Sequence, residues 1–287
     1  MRDAEPTSLI YELPDVAETA LATLWSRGLE SLSVAPILND PKAVELMRKL
    51  RPLLGQGSPL ARSLSRDEVE SSMQTYVALR SRRMDAYARE HLGRYPDGEV
   101  VNLGCGLDTR KWRIDSGQVV ELDLPEMSEL RRALLGDRSI GVNVLDDSWF
   151  GSIKSELKGP PIFLAEGLFM YLEKSALRGL IGKLADTFPG SILAAEVFDS
   201  FWLGERRSKH IKSRLAEVLL FGKNADFVSG LDSPSEMEQW AADIRFLDEW
   251  SFLDEAEAKL GRLAKLKHFP RFRQRQTIVR YRLGVHC

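Results

Sequence analysis

Hydrophobic and polar positions follow two different patterns along this chain. Over the first 95 residues the apolar positions recur at helical spacing, and no convincing strand occurs. In this part Asp40-Pro41 supplies an N-cap followed by proline at the first helical position. Ser65 and Glu68 have the spacing of a capping box, which predicts a helix of about 27 residues from Ser65. The pattern therefore predicts a helical section ahead of any sheet.

From residue 99 onward short apolar runs alternate with stretches of helical periodicity. This alternation predicts a parallel sheet with right-handed crossovers, because a strand covered by helices on both faces is apolar throughout. Helices are predicted near residues 125–135, 147–157 and 173–188. The predicted strands are Val100–Leu103, Val119–Leu122, Ile140–Val144, Ile162–Ala165, Ser191–Val197, Asp243–Trp250 and Gln276–Leu283.

These patterns divide the chain into two parts. We predict an N-terminal helical cap over residues 1–95 and an α/β domain over residues 96–287 with about seven strands. Within the second part, a long charged and aromatic stretch follows residue 198, and Ser233 and Glu236 have capping-box spacing. We therefore expect a helical lid over residues 198–240.

Composition narrows the class of protein. The net charge is -2 and the sequence pI is about 6.2, so nothing global points to a nucleic-acid or membrane partner. With only two cysteines, a secreted disulfide framework and a cysteine metal site are unlikely, and we expect no bound metal. The first residues lack the apolar core of a signal peptide, and no run of 18 uncharged apolar residues occurs. We expect a cytoplasmic protein.

The stretch Glu99 to Trp112, EVVNLGCGLDTRKW, carries the main chemical signal. A buried strand ends at Gly104-Cys105-Gly106, where glycine allows positive φ and a close approach of a ligand to the backbone. A P-loop is excluded because no Gly-Lys-Ser/Thr follows the glycines. The dinucleotide fingerprint is weak, because Thr109 stands where the third glycine belongs and Asp108 would repel a pyrophosphate.

A nucleoside without phosphate suits the loop better. Asp123 lies 19 residues after Gly104 and is placed to bind ribose hydroxyls, with Glu121 as a second candidate. The positively charged head of S-adenosylmethionine suits a loop that contains Asp108 and a strand end that contains Glu166. The alternative is that the glycines only make a turn while Asp123 caps the following helix.

Several motifs resemble those of one enzyme family. The segments NLGCGLDTR, ELDLPE and AEGLFMYL, together with ETALATLWSRGLES, APILNDPKAVELM and LRSRRMDAY, resemble the leucine carboxyl methyltransferase family. The likeness runs over about residues 17–200 and is greatest to the bacterial branch of tetracenomycin polyketide O-methyltransferases. It implies a class I methyltransferase Rossmann-like sheet with an antiparallel last strand. It also implies S-adenosylmethionine as the cofactor and an O-methyltransferase activity.

The resemblance implies roles for individual residues. Arg80 matches the arginine that holds the cofactor carboxylate, although its run Arg80-Ser81-Arg82-Arg83 also suits a solvated helix face. Glu166 matches the residue beside the methionine portion. The remaining implied cofactor contacts are Gly104 and Gly106 under the cofactor, Asp123 at the ribose, and Asn143 and Val144 at the adenine. Asp108, Arg110 and Asp146 match without a settled role, and Asp146-Asp147 also suits a helix cap.

The sequence says less about the molecule that accepts the methyl group. A carboxylate acceptor, our first choice, is already ionised and needs no base, whereas a hydroxyl acceptor would use one. Tyr171, His210 and Asp199 are candidate bases, none of them in a diagnostic arrangement. Substrate contacts are predicted for the lid residues Phe198, Phe201, Trp202, Arg206 and Arg207. The alternative is that the aromatic residues only pack the lid helix.

Two further hypotheses stay open at this stage. The basic, aromatic tail KLKHFPRFRQRQTIVRYR suits nucleic acid locally, but one basic strand in a mildly acidic chain is a poor footprint. We therefore expect a small-molecule acceptor and neither a nucleic-acid nor a membrane partner. The main alternative to an enzyme is a non-catalytic protein that binds a nucleoside or a partner on the same fold.

Overall fold

The described residues of the first part of the chain form four helices. The computed structural model describes residues 15–55, 57–204 and 227–284. The helices are α1 (Asp15–Ser31), α2 (Pro41–Leu54), α3 (Pro59–Ser65) and α4 (Ser71–Arg94). The predicted cap of α2 is confirmed, because the Asp40 carboxylate accepts a hydrogen bond from the Ala43 amide at 3.0 Å and Pro41 opens the helix.

The predicted capping box at Ser65 is wrong. Ser65 is the last residue of α3, and the long helix α4 begins only at Ser71. Glu68 instead accepts a hydrogen bond from the Ser63 hydroxyl at 2.9 Å and pairs with Arg66 at 2.7 Å. The polar residues that could begin a helix at Ser65 instead form the C-terminal end of α3, and the spacing of Ser65 and Glu68 does not distinguish the two outcomes.

The second part forms the seven-stranded sheet that the sequence predicts. Its strands are β1 (Glu99–Leu103), β2 (Val119–Asp123), β3 (Ile140–Gly141), β4 (Pro161–Ala165), β5 (Ile192–Phe198), β6 (Arg245–Trp250) and β7 (Gln276–Arg282). Their spatial order is β3-β2-β1-β4-β5-β7-β6. Only β7 runs antiparallel to its neighbours, so the expectation of an antiparallel last strand is confirmed.

The central strands β1 and β4 are buried at every position, which explains their unbroken apolar runs. Their side chains alternate between two clusters, with Val101 and Phe163 on one face and Val100 and Ile162 on the other. Helix α4 covers the second face through residues such as Ala78. The predicted helices appear as α6 (Pro125–Leu135), α7 (Ser148–Glu156) and α8 (Lys174–Thr187), after a short α5 (Arg110–Arg113).

Two predicted elements differ in length or type. Strand β3 has two residues rather than the five of Ile140–Val144, because the chain turns at Asn143, whose backbone carbonyl accepts from the Asp146 amide at 2.9 Å. The capping box at Ser233 predicts a helix, but the structure has only a 3₁₀ helix over Glu236–Gln239. The Glu236 carboxylate there accepts from the Asp232 amide at 2.6 Å.

The lid prediction is tested only at its ends. Residues 205–226, which include Arg206, Arg207 and His210, lie outside the described residues. A 3₁₀ helix over Ser200–Leu203 precedes them, and Asp199 forms a parallel bridge with Leu231 after them. The division at residues 95 and 96 and the lid over 198–240 therefore remain predictions. Among the described helices, none has the length and apolar character to cross a membrane.

Candidate active site

The glycine loop between β1 and α5 meets the end of β2 through one carboxylate. Gly104 and Gly106 have φ of 63° and 50°, a conformation that favours glycine. The Asp123 carboxylate accepts hydrogen bonds from the Gly106 amide at 2.6 Å and the Leu124 amide at 2.8 Å. Burial raises the pKa of Asp123, and these two amides offset that only in part. Asp123 therefore anchors the loop, and Leu124 rather than Asp123 is the N-cap of α6.

A buried arginine supports the loop from below. Arg131 on α6 donates to the Gly106 carbonyl at 2.8 Å and the Asp108 carbonyl at 2.9 Å. It pairs with Glu121 and, at 2.7 Å, with Asp137. Glu121, the second candidate for the ribose, thus lies under the loop and outside the cavity lining.

Behind the loop two arginines converge on one carboxylate. Arg80 on α4 donates from Nε to Glu166 at 2.9 Å and from Nη1 to Glu196 at 2.9 Å. Arg110 donates to Glu166 at 2.5 Å and to Asp85 at 2.9 Å. Burial raises the pKa of Glu166, but Arg80 and Arg110 outweigh it and lower that pKa to about 2. Arg80 is therefore buried in the site, and the solvated-face interpretation is wrong.

Asp108 is occupied by the same network. Its carboxylate accepts from the Thr109 amide at 2.7 Å and pairs with Arg110 at 2.7 Å and Arg113 at 3.0 Å. Burial opposes its ionised form, yet the arginines hold the pKa of Asp108 well below its usual range. Asp108 thus stays ionised and fixes the start of α5.

The N-terminal helices are joined to the loop through polar contacts. Arg27 on α1 donates to the Leu107 carbonyl at 2.8 Å and to Asp40 at 3.1 Å. Asp40 also accepts from the Thr109 hydroxyl at 2.6 Å and pairs with Arg113 at 2.9 Å. The buried network contains four arginines and five carboxylates: Arg27, Arg80, Arg110 and Arg113 with Asp40, Asp85, Asp108, Glu166 and Glu196. One carboxylate in excess favours a cationic ligand.

A cavity of about 1030 Å³ opens between the loop and the N-terminal helices. All seven predicted cofactor residues line it, namely Arg80, Gly104, Gly106, Asp123, Asn143, Val144 and Glu166. The structure therefore brings together residues that lie far apart in the sequence. Asn143 is partly engaged, because its side-chain carbonyl accepts from the Leu145 amide at 3.0 Å. Asp146 and Asp147 lie outside the lining, and Asp147 pairs with Lys183.

The other end of the cavity is apolar and aromatic. Tyr171 and Phe198 line it, and Phe227 packs against both rings with centroids 5.4 Å and 4.7 Å away. Trp202 lines it and packs against Phe272 at 5.1 Å. Asp199 and Phe201 are outside the lining. The Asp199 carboxylate accepts from the Phe201 amide at 2.9 Å and pairs with Arg271 at 3.4 Å.

Sequence reasoning missed a second layer of this site, built around Glu196 on β5. Its carboxylate is fully buried and accepts hydrogen bonds from Tyr76, from the Gly167 amide at 2.7 Å and from Gln276 at 2.5 Å, besides Arg80. Tyr76 and Gln276 line the cavity. A signal was present for Tyr76, which stands four residues before Arg80 and so shares its helix face.

Comparison with known proteins agrees with this geometry. The sequence profile of the family described as leucine carboxyl methyltransferase matches residues 20–185. The chain belongs to this family.

Individual relatives cover nearly the whole chain. A tetracenomycin polyketide synthesis O-methyltransferase of Streptomyces glaucescens is 29% identical over 286 residues, 94% of this chain and 97% of the relative. An S-adenosyl-L-methionine-dependent methyltransferase of Gibberella zeae is 24% identical over 277 residues, covering 90% and 89% of the two chains. A solved DUF574 family protein from Streptomyces avermitilis aligns with a TM-score of 0.53 at 12% identity, covering 82% of this chain and 95% of its own, which supports the fold.

Proposed function

We propose that this leucine carboxyl methyltransferase family member transfers a methyl group to a carboxylate of a small molecule. The chain is an S-adenosylmethionine-dependent O-methyltransferase, and the named relatives are methyltransferases over almost their full length. The proposal for the acceptor rests on one observation: the aromatic end of the cavity offers no general base among its described residues Tyr171, Phe198, Trp202, Phe227 and Phe272. A carboxylate acceptor is already ionised at neutral pH and requires none.

The cofactor end of the cavity has the features that S-adenosylmethionine requires. A Cβ on Gly104 would lie 2.9 Å from a Leu168 methyl carbon, so glycine lets the loop pack closely against Leu168 in the cavity wall. We assign the ribose to Asp123, the methionine carboxylate to Arg80 and the cationic amine to the acidic excess around Glu166. When bound, the cofactor supplies an electrophilic methyl group on its sulfonium. The residues of this chain then have to align the acceptor and exclude water.

The aromatic hydroxyls in the cavity do not serve as bases at neutral pH. Burial, followed by the Glu196 charge, raises the pKa of Tyr171 to about 12. Burial also raises the pKa of Tyr76 well above its usual value, and its hydroxyl donates to Glu196. Burial likewise raises the pKa of the Cys105 thiol. All three side chains are therefore protonated when the enzyme acts.

Two buried carboxylates of the site, Glu196 and Glu166, are occupied by donors. Glu196 accepts from Arg80, Tyr76, Gly167 and Gln276, which fills its acceptor positions. Glu166 is held by Arg80 and Arg110 and by the Ser81 hydroxyl at 2.8 Å. These groups orient the site and transfer no proton, which favours an acceptor that arrives deprotonated.

The test uses matched acceptors that differ only in the reacting group. Aromatic carboxylic acids and the corresponding phenols are incubated with methyl-labelled cofactor, and the product is treated with base. We expect a base-labile methyl ester, a rate that is flat with pH above the pKa of the acceptor, and a Tyr171→Phe variant within about threefold of the parent. A base-stable methyl ether, or a loss of about 10²-fold or more in Tyr171→Phe, would instead indicate a hydroxyl acceptor and a base.

A further inference from the structure

The basic segment near the C-terminus has a period of three in both charge and hydrophobicity. Arg262, Lys265 and His268 are separated by three positions, as are Leu263, Leu266, Phe269 and Phe272. The structure has a 3₁₀ helix over Ala258–His268 with a kink at Gly261, followed by the short α9 (Pro270–Arg273). Because a 3₁₀ helix has three residues per turn, Arg262, Lys265 and His268 share one face after the kink, and Leu263 and Leu266 lie on the adjacent face. Phe269 and Phe272 follow the end of this helix.

Both faces reach solvent. Leu263, Phe269 and Phe272 are 38%, 58% and 39% exposed. A single exposed apolar residue is ordinary on a protein surface, but these three occur within ten residues of the chain. Arg262 and Lys265 are exposed, as is Lys267 beside them, and none makes an ion pair with another described residue. We call these six residues the amphipathic patch.

The amphipathic patch borders the mouth of the active-site cavity. Leu263 and Phe272 line the cavity and are also exposed, so the apolar face continues from the surface into it. Phe272 is held there by its contacts with Trp202 and, at 6.5 Å between ring centroids, with Phe269. The exposed cations are therefore sequence neighbours of apolar residues that line the cavity.

We propose that the amphipathic patch docks this enzyme on the surface of an anionic lipid bilayer. Arg262, Lys265 and Lys267 pair with lipid phosphates, and Phe269 and Leu263 enter the boundary between headgroups and acyl chains. This revises the expectation of no membrane partner, which came from the net charge of -2, because that total averages over a locally basic surface. The proposal does not rest on the carboxylate acceptor, but docking would give an apolar acceptor a direct path into the cavity.

Two other occupants suit the amphipathic patch less well. Protein interfaces are depleted in lysine and concentrate their energy in buried aromatic and arginine anchors, whereas this patch is rich in lysine and exposed leucine and phenylalanine. Nucleic acid calls for a basic footprint along a groove, but described basic neighbours such as Arg273 are already paired, with Glu249 at 2.5 Å and Asp254 at 2.7 Å. The combination of unpaired cations and exposed apolar side chains favours lipid.

Vesicle sedimentation with the full chain tests the proposal. Vesicles of phosphatidylcholine alone are compared with vesicles that also contain phosphatidylglycerol, at low and high salt. We expect binding only to the anionic vesicles, weakened by salt. The triple variant Arg262→Gln, Lys265→Gln, Lys267→Gln should lower the partition coefficient about a hundredfold, because each cation near such a surface contributes about fivefold.

A matched control removes the same charge elsewhere. Arg138, Lys154 and Lys158 are exposed residues outside the patch, and their triple glutamine variant should stay within about twofold of the parent. Phe269→Ser, which keeps the charge, should lower vesicle binding about tenfold. Absence of binding to anionic vesicles, or an equal loss in the control, would overturn the proposal. Tight binding of a single-stranded RNA oligonucleotide without vesicle binding would identify nucleic acid as the occupant instead.

Discussion

The role of Asp123 gives the most direct test of the cofactor site. Its two carboxylate oxygens accept from Gly106 and Leu124 at 2.6 Å and 2.8 Å, and they line the cavity where we place the ribose. Asp123→Asn keeps the shape but replaces one acceptor by an amide donor. At least one charge-assisted hydrogen bond, worth about 1.5–3 kcal/mol, is then lost from the complex. We expect S-adenosylhomocysteine to bind about 10- to 100-fold more weakly in a calorimeter.

The pH dependence of binding adds a second readout. The pKa of Asp123 is raised by burial, whereas that of Glu166 is lowered to about 2 and that of Asp108 lies well below its usual range. Among these three, only Asp123 takes up a proton as the pH falls from neutral through its raised pKa. Because the ionised carboxylate accepts the ribose hydroxyls, affinity should be full above that pKa and decline below it. Asp123→Asn should show no such decline.

The matched control is Glu126→Gln, the same change of acid to amide one helical turn away. Glu126 is exposed and lines the cavity, and the described hydrogen bonds of Gly104 and Gly106 do not include it. We expect its affinity to stay within about threefold of the parent, and urea denaturation to show that both variants are folded. An Asp123→Asn protein that is folded and binds as tightly as the parent would refute the assignment of Asp123 to the ribose, as would an equal loss in Glu126→Gln.

Three further substitutions test the surrounding structure. Arg80→Lys should weaken S-adenosylhomocysteine binding about tenfold in calorimetry, because an ammonium group cannot replace a guanidinium that pairs with two carboxylates. The control Arg82→Lys, at a side chain that is 41% exposed, should leave the affinity unchanged. Arg110→Met should lower the free energy of unfolding, measured in urea, by about 3–5 kcal/mol, because it leaves buried carboxylates unpaired. The control Arg132→Met, at an exposed residue, should lower it by less than about 0.5 kcal/mol. Equal losses in the two variants would contradict a stabilising role for the buried ion-pair network. Gly104→Ala should lower unfolding free energy by about 1–2 kcal/mol through its φ of 63°, and a fully stable variant would show that the loop tolerates a side chain.

Local sequence was sufficient wherever the governing interaction is itself local. Apolar runs predicted the strands because a run buried on both faces must be apolar regardless of its partners. The Asp40-Pro41 cap and the positive φ of Gly104 and Gly106 were also predicted, because a capping bond or a positive φ is decided within a few residues. Asp123 followed from the length of one strand-helix-strand unit.

The tertiary structure alone decided how distant charges are paired. In the sequence, Arg80 is not distinguishable from the neighbouring arginines at 82 and 83. Only the packing of α4 against the ends of β4 and β5 brings it to Glu166 and Glu196, 86 and 116 residues away. The helix start at Ser71 and the contribution of Phe272 to the cavity are likewise results of packing. Sequence thus determined the elements and the glycine loop, because capping bonds, positive φ and burial on both faces of a strand are local requirements. The fold determined the aromatic end of the cavity and the charge network, because sheet order decides which side chains meet.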